Sequence, residues 1–299
     1  MTGTQQFRSG QQFFYLLVLL FAIGARAFGQ SAGTVIPLVQ TAASNHAADD
    51  EIAVAAERLV GKALFLRGFY AANDLRYDAS GRVQGETQGG EWTLAGVNVL
   101  TIQRHPGEIE LDGVRVAIRY NPEQHQFERH PLNDQKMKIV LTGVSDVKGF
   151  DAAVAAIFSM GIDPALQRST PDYWQHYFNP ALEWPADTLN GEQVYPTYGL
   201  PNQAKDVTPP APTQKVEARF TSTAEHDRVK GPVLLRMVVD TEGVPRRISV
   251  VQPLGYGLEQ KAVEAMAKWR FTPGMRDGKP VATGVVVSQD FQYAAPAKR

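Results

Sequence analysis

The sequence has no cysteine among its 299 residues. Disulfide bonds, thiol nucleophiles and thiolate metal sites are therefore excluded. The net charge is only −1, whereas a general nucleic-acid binder carries a strongly basic surface. Hydrophobic residues are 43% and charged residues 20% of the chain, which is the balance of an ordinary globular protein. These values predict a folded protein that does not bind nucleic acid.

Catalytic signatures are also missing from the sequence. Neither a Gly-x-Ser-x-Gly turn nor a Gly-x-x-x-x-Gly-Lys-Ser/Thr phosphate loop occurs. His125 and His130 stand near Glu123 and Glu128, but their spacing matches no zinc-binding pattern, so we interpret them as solvated loop residues. The sequence predicts no catalytic residues, no cofactor and no metal. An enzyme whose site lies in the middle of the chain is kept as an alternative.

Long apolar runs are scarce as well. The longest, residues 13–25, spans about 13 residues before Arg26, whereas a membrane-spanning helix needs about 20. Because Ala25-Arg26-Ala27 has the small-x-small form of a signal-peptidase site, we predict a signal peptide over residues 1–27 and a periplasmic location. The alternative is an uncleaved anchor in the inner membrane that faces the periplasm. Residues 28–49 are small and polar, which predicts a flexible tether.

Residues 50–165 show helix and strand patterns in succession. Apolar residues at helical spacing follow the acidic run Asp49-Asp50-Glu51 and predict a helix over residues 50–62. Asp112-Gly113 stands between two β-rich runs and predicts a hairpin turn. A second helix is predicted over residues 150–160, with Phe158 on its apolar stripe. Further strands are predicted at residues 64–70, 74–77, 92–103 and 137–144. The pattern indicates a β-rich α+β domain of no recognised family.

Prolines recur through residues 166–214, which disfavours long helices and predicts an extended linker. The same segment contains a cluster of aromatic residues: Tyr173, Trp174, Tyr177, Phe178 and Trp184. We expect these rings to dock the linker onto a folded domain, because each can bury a large apolar area. A stacking platform for a glycan or a peptide is the alternative.

The C-terminal part predicts a β-β-α-β unit. Val233, Leu235, Met237 and Val239 alternate as in a strand, and Thr241-Glu242-Gly243 predicts a short hairpin loop. Leu258, Ala262, Ala265 and Trp269 form one stripe of a helix, which Pro273-Gly274 is expected to end. A final strand follows, with Val285, Val287, Phe291 and Tyr293 on one face and Gln289 as the polar member.

The order of these motifs resembles the C-terminal domain of the TonB family, the energy transducers of Gram-negative envelopes. The resemblance covers about residues 216–293 and rests on Gly255-Tyr256-Gly257-Leu258, Trp269-Arg270-Phe271-Thr272-Pro273 and Asp277-Gly278-Lys279-Pro280-Val281. Family members often open with an aromatic-Pro pair and a short helix, whereas Phe220-Thr221 stands here. The predicted class is α+β, with this unit preceded by a short helix and by the β-rich α+β domain. The predicted order is a signal peptide (1–27), a tether (28–49), the β-rich domain (50–165), a linker (166–214), the TonB-like domain (215–293) and a tail (294–299).

The resemblance implies a non-enzymatic, protein-binding role in envelope transport. A sheet edge can accept an extended peptide as an added strand, and the family uses its last strand for a peptide of an outer-membrane receptor. The corresponding partner-binding residues here are Val285, Val286, Val287, Ser288, Gln289, Asp290 and Phe291. The partner is then a peptide of a receptor or another envelope protein. Coverage of the edge by the chain itself or by a homodimer mate is the alternative. Scaffolding without energy transduction is one alternative. Transduction from an inner-membrane, proton-driven motor is the other, if the N-terminal segment is an uncleaved anchor.

Overall fold

The computed structural model describes residues 50–293, so the predicted signal peptide, most of the tether and the tail lie outside the described residues. The first unit opens with a helix, α1 (residues 50–57). Its other elements are β1 (Leu64–Leu66), β2 (Asp74–Tyr77), β3 (Val83–Gln84), β4 (Gly96–His105), β5 (Glu108–Asn121), β6 (Gln126–Thr142), α2 (Val147–Ile157) and β7 (Phe158–Met160). The strands form a seven-stranded sheet in the order β3-β2-β6-β5-β4-β1-β7.

Three local predictions in this unit are wrong. The first helix ends at residue 57 and is followed by a turn, and Phe158 begins β7 instead of continuing α2. Strand β5 runs straight through Asp112-Gly113. Gly113 allows the backbones of β4 and β5 to approach closely, because a Cβ at this position would lie 2.2 Å from the carbonyl oxygen of Asn98. The ladder between β4 and β5 shifts register beside this contact, between Val99 and Thr101.

The predicted linker contains regular elements of its own. They are α3 (Pro164–Ser169), α4 (Asp172–Phe178), a 3-10 turn (Ala186–Leu189), β8 (Val194–Pro196), β9 (Val207–Thr208) and β10 (Ala211–Gln214). Trp174 on α4 is completely buried, with its ring 5.0 Å from the ring of Trp92 at a near-perpendicular angle. The aromatic residues of α4 therefore pack this segment onto the first unit, as expected for a docked linker.

The C-terminal unit has the predicted β-β-α-β order with short additions. Its elements are α5 (Ser222–His226), β11 (Gly231–Val239), β12 (Pro245–Gln252), α6 (Leu258–Met266), β13 (Arg270–Thr272), β14 (Gly274–Arg276) and β15 (Lys279–Phe291). The sheet order is β12-β11-β15-β14-β9, and β8 also pairs with β15. Helix α6 ends before Trp269, because residues 270–272 leave it to pair with β10. The α+β class is confirmed.

One hydrophobic core runs through both units. Trp92 and Phe150 of the first unit belong to the same cluster of buried residues as Met237 and Leu258 of the second. The division of the chain at residues 165 and 215 stays a prediction. None of the helices within residues 50–293 has the length and apolar character needed to cross a bilayer.

Candidate partner-binding edge

The backbone groups of β15 point alternately to its two sides. In the antiparallel ladder with β11, Val285 lies opposite Met237 and Val287 opposite Leu235. Val286 turns its N–H away from β11 and donates it to the carbonyl of Tyr198 at 2.9 Å. The odd-numbered residues of this stretch therefore bond to β11, and the even-numbered residues face the other side.

The side chains of β15 alternate in the same way. Val285, Gln289 and Phe291 are buried, whereas Ser288 and Asp290 are exposed. Val287 is partly buried and packs against the main core. The predicted alternation along this strand is therefore present, and Ser288 and Asp290 are the side chains that a partner lying on this edge would contact.

The prediction of an open edge from Val285 onward is corrected in part, because the chain's own residues 194–198 cover its first half. Strand β8 pairs with β15 in parallel, with Val194 opposite Ala282 and Pro196 opposite Gly284. Thr197 donates both its N–H and its hydroxyl to the carbonyl of Gly284, each at 2.9 Å. Coverage of the edge by the chain itself was the alternative in the sequence analysis, but the covering segment was not identified, because a Pro-rich segment gives no signal of the strand that it will join.

The second half of the edge is open within the part of the chain that the structure describes. Beyond Val286, the even-numbered residues Ser288 and Asp290 have no backbone partner among residues 50–293 on the side away from β11. The hydroxyl of Ser288 donates to the Asp290 carboxylate at 3.0 Å. Of the seven predicted residues, three present backbone groups to the outer side, and Val286 is already engaged by Tyr198.

The Gly255-Tyr256-Gly257 motif joins the two units. Tyr120 at the end of β5 donates its N–H to the carbonyl of Leu254 at 3.1 Å, and Tyr256 donates to the carbonyl of Ile118 at 3.0 Å. The N–H of Gly257 is bonded to the buried hydroxyl of Thr93 at 2.8 Å. The motif thus extends the ladder of one unit into the other, a role that the sequence did not indicate.

Two buried carboxylates lie beside this junction. Glu91 accepts hydrogen bonds from the hydroxyl of Tyr173 and from the indole N–H of Trp174, the latter at 3.0 Å. Burial raises the pKa of Glu91 to about 7, although both donors oppose the shift. Glu259 in the first turn of α6 accepts the N–H groups of Leu254 and Gly255 at 2.5 and 2.6 Å, and burial raises its pKa as well. Both carboxylates thus accept hydrogen bonds from segments that meet beside the junction.

The two histidines weighed in the sequence lie apart from one another. His125 ends the turn after β5, where its Nδ1 lies 3.3 Å from the hydroxyl of Tyr120. His130 lies on β6 opposite Ala117, with its Nε2 3.6 Å from the carboxylate of Glu128. Within residues 50–293, no group of three or more His, Asp or Glu side chains converges on a point that could hold a metal ion.

Comparison with known proteins finds similarity for the C-terminal unit. Residues 216–293 match the family described as Gram-negative bacterial TonB protein C-terminal. Among solved structures, the chain is similar to the solution NMR structure of Pseudomonas aeruginosa TonB CTD, with 23% identity and a TM-score of 0.25. That similarity covers 33% of this chain and 94% of the other. No curated protein matches the chain. Residues 216–293 of this protein are therefore a segment similar to the C-terminal part of the TonB proteins of Gram-negative bacteria.

Proposed function

We propose that this protein is a non-enzymatic, protein-binding component of envelope transport, and that it takes a partner peptide as an added strand along β15. The observation that carries the proposal is the pairing of β8 with β15. The outer side of β15 accepts an extended, parallel segment in this fold, with ladder bonds to Gly284 and Val286. Strand addition needs this kind of edge.

We further propose that the partner strand replaces β8. The open half of the edge offers outward backbone groups only from Ser288 and Asp290. Each neutral hydrogen bond contributes about 1 kcal/mol net, and ordering a flexible peptide costs about 2–5 kcal/mol. The open half alone is too short to offset that cost. Release of residues 194–198 extends the available edge back to Ala282.

The attachment of β8 is short, which supports its release. Its backbone attachment consists of three paired residues, the two bonds from Thr197 and the bond to Tyr198. Among side chains, Arg276 donates to the hydroxyl of Tyr195 at 2.8 Å and Val194 packs against Val238 and Ala282. The side chain of Tyr198 is 70% exposed and adds little packing. A partner with its own side chains on the outer face, near Ser288 and Asp290, can therefore compete for the same backbone groups.

The test measures binding of the full chain to labelled peptides from periplasm-facing segments of outer-membrane receptors by fluorescence anisotropy. Asp290→Pro removes an outward N–H without touching the β11 ladder, so binding is expected to weaken at least about tenfold. Asp290→Ala keeps the N–H and serves as the matched control. Equal affinity of the Pro and Ala variants contradicts the use of this edge.

A second variant tests the replacement of β8. Thr197→Val removes the hydroxyl bond to Gly284 and keeps a β-branched side chain, so β8 is held less firmly. Because the apparent affinity follows the fraction of the competent state, peptide binding is expected to tighten by about threefold to tenfold. If Thr197→Val leaves the affinity unchanged while Asp290→Pro abolishes binding, the partner uses the open half alone and the replacement is refuted.

The scaffolding alternative has one structural observation in its favour. The family segment is joined to the first unit through Leu254, Tyr256 and Gly257 and shares its core. A domain built into a larger body in this way can simply present a stable docking surface. Failure of every receptor peptide to bind, with the fold intact by circular dichroism, favours scaffolding over transport.

The periplasmic location is part of the proposal and depends on the fate of the N-terminal segment. N-terminal sequencing of the exported protein is expected to begin at Phe28 or a neighbouring residue. A chain that begins at Met1 and remains with the inner membrane favours the anchored transducer, in which a proton-driven motor can act on the protein.

A further inference from the structure

A cavity of about 270 Å³ lies on the face of the C-terminal sheet that is turned away from α6. The sheet contributes Arg236 and Val238 of β11 and Ser249 of β12 to its wall. The predicted linker, residues 166–214, contributes the opposite wall through Leu182, Trp184 and Leu200. The cavity borders the pairing of β8 with β15, because Val194 of β8 and Gly284 of β15 also line it.

One side of the cavity is apolar. The ring of Trp184 stacks on that of His176, with centroids 3.7 Å apart and planes 10° from parallel. Leu200 lies over Gly284, where an added Cβ would come within 2.8 Å of its Cδ1. Leu182 is 38% exposed. The flat indole and the two leucines form a wall suited to an aliphatic chain or an aromatic ring.

The cavity is also lined by polar side chains. Ser249 is only 6% exposed, and its hydroxyl makes no hydrogen bond to any residue from 50 to 293 that the structure describes. The Nδ1 of His176 donates to the carbonyl of Asp172 at 2.8 Å, while its buried Nε2 has no partner among the described residues. The hydroxyl of Ser249 lines the cavity and is free to donate a hydrogen bond to a ligand.

Two arginines supply positive charge to the same space. Arg236 lies directly opposite Ser249 in the ladder between β11 and β12. Arg247 occupies a bulge at a φ of 49°, a left-handed conformation that non-glycine residues seldom adopt. Its Nε donates to the hydroxyl of Thr188 at 2.7 Å, which fixes the direction of the guanidinium. Among the side chains that the structure describes, no carboxylate lies within ion-pair distance of either arginine.

We propose that this cavity binds a carboxylate carried by an apolar group. The carboxylate lies between Arg236, Arg247 and the hydroxyl of Ser249, because guanidinium groups bind planar carboxylates through paired hydrogen bonds. The apolar group packs against Trp184, Leu182 and Leu200. The volume admits a ligand on the order of ten non-hydrogen atoms, which is too small for a nucleotide.

This chemistry has two sources, a free organic acid or the carboxyl-terminal apolar residue of a peptide. Benzoate and hexanoate represent the first source, and N-acetyl-leucine, an apolar residue with a free carboxylate, represents the second. Isothermal titration calorimetry on the full chain is expected to give one site per chain for at least one of them. The class of ligand that binds with the lower Kd, free acid or peptide carboxyl end, identifies the source.

Variants and analogues make the test specific. Arg236→Gln and Arg247→Gln are each expected to weaken binding about tenfold, whereas Arg246→Gln, at the neighbouring position that pairs with Asp240, leaves it unchanged. Ser249→Ala is expected to weaken it about threefold or more. Thermal unfolding of each variant within a few degrees of the parent shows that the fold is kept.

Three outcomes overturn the proposal. The first is the absence of heat for all three acids at millimolar concentration. The second is equal binding of benzoate and benzamide, which removes any role for the charge. The third is equal binding of benzoate and inorganic phosphate, which shows that the arginines attract any anion and that the apolar wall does not contribute. None of these outcomes concerns the open half of β15 at Ser288 and Asp290, so peptide binding there is judged separately, by the Asp290 variants.

Discussion

The carbonyl oxygen of Ile118 would lie 2.1 Å from a Cβ placed on Gly255, at the point where the two units join. Gly255 also has a φ of 98°, which strongly disfavours any other residue. Gly255→Ala is therefore expected to destabilise the protein by about 2–4 kcal/mol, through steric overlap and backbone strain. Urea denaturation followed by tryptophan fluorescence measures this change in the free energy of unfolding.

A matched control is available in the same unit. Gly278 has a φ of 74°, but a Cβ there would meet nothing within 4 Å. Gly278→Ala then has only the backbone strain of the left-handed region, about 1 kcal/mol. Similar losses for the two variants would show that the contact with Ile118 is not needed for stability.

Glu91 makes the stability depend on pH. Its pKa rises from 4.5 in the unfolded chain to about 7 in the fold, so the folded protein binds more protons between these values. The contribution of Glu91 to the free energy of unfolding is fully present below pH 4.5 and is lost as pH rises through 7. The expected loss is on the order of 2–3 kcal/mol, measured by urea denaturation at pH 4.5 and pH 8.

Glu91→Gln isolates this contribution. The amide oxygen accepts from Trp174, and the NH2 group donates to the hydroxyl of Tyr173. Because the amide does not titrate, the variant is expected to lose less stability than the parent as the pH rises. Glu259 changes stability in the same direction and is retained, so part of the dependence remains. Glu86→Gln, at an exposed position after β3, is the control. An identical pH profile for Glu91→Gln and the parent contradicts a raised pKa at Glu91.

Trp174 packs the predicted linker, residues 166–214, against the first unit. It is completely buried, contacts Trp92 and Phe127, and donates to Glu91. Trp174→Ala is expected to destabilise the protein by about 3–5 kcal/mol, because it creates a cavity and removes a donor from a buried carboxylate. Tyr198→Ala, at a side chain that is 70% exposed, is expected to change stability by less than about 0.5 kcal/mol. Thermal unfolding of the pair measures the contrast, and a stable Trp174→Ala protein would rule out the anchoring role.

Asp163 stabilises the fold in the opposite pH range. Its carboxylate caps α3 through the N–H of Leu166 at 2.7 Å and also accepts from Ser159 and Arg67. The Ser159 bond contributes most to lowering the pKa of Asp163 to about 2. Its stabilising effect is therefore present above pH 3.8 and is lost as the pH falls towards 2.

Asp163→Ala is expected to destabilise the protein by about 1–2 kcal/mol at pH 7. Asp146→Ala, which removes the simpler cap of α2 at Gly149, is expected to lose about 1 kcal/mol. The difference between the two variants, measured by urea denaturation, reports the added bonds to Ser159 and Arg67. No difference would mean that those bonds contribute nothing beyond the cap.

The spacing of apolar residues predicted those strands and helices that are determined by their own sequence. The alternation of Val233, Leu235 and Met237 and the stripe of Leu258, Ala262 and Ala265 were sufficient for β11 and α6, because each buries one face against the other. Asp112-Gly113 misled for a physical reason, since glycine there allows two strands to approach closely and does not form a turn. The same sequence pair serves both purposes, and only the partner strand distinguishes them.

The candidate edge was predicted less completely than the fold. The alternation of Val286, Ser288 and Asp290 followed from the period of a strand. Its occupation by residues 194–198 depends on a pairing between segments far apart in sequence, which no periodicity reveals. The cavity with Arg236, Arg247 and Ser249 was missed for the same reason, since the bulge that orients Arg247 arises only from the register of β11 against β12.

The long ladder between β11 and β15 has a mechanical consequence. All nine residues of β11 pair in register with residues 283–291 of β15. A pull directed along β15 stretches all of these bonds together, whereas a pull across the strand opens them one after another from the end. A peptide aligned with β15 would transmit tension in the resistant direction, so the sheet would hold under load even where its resting stability is modest.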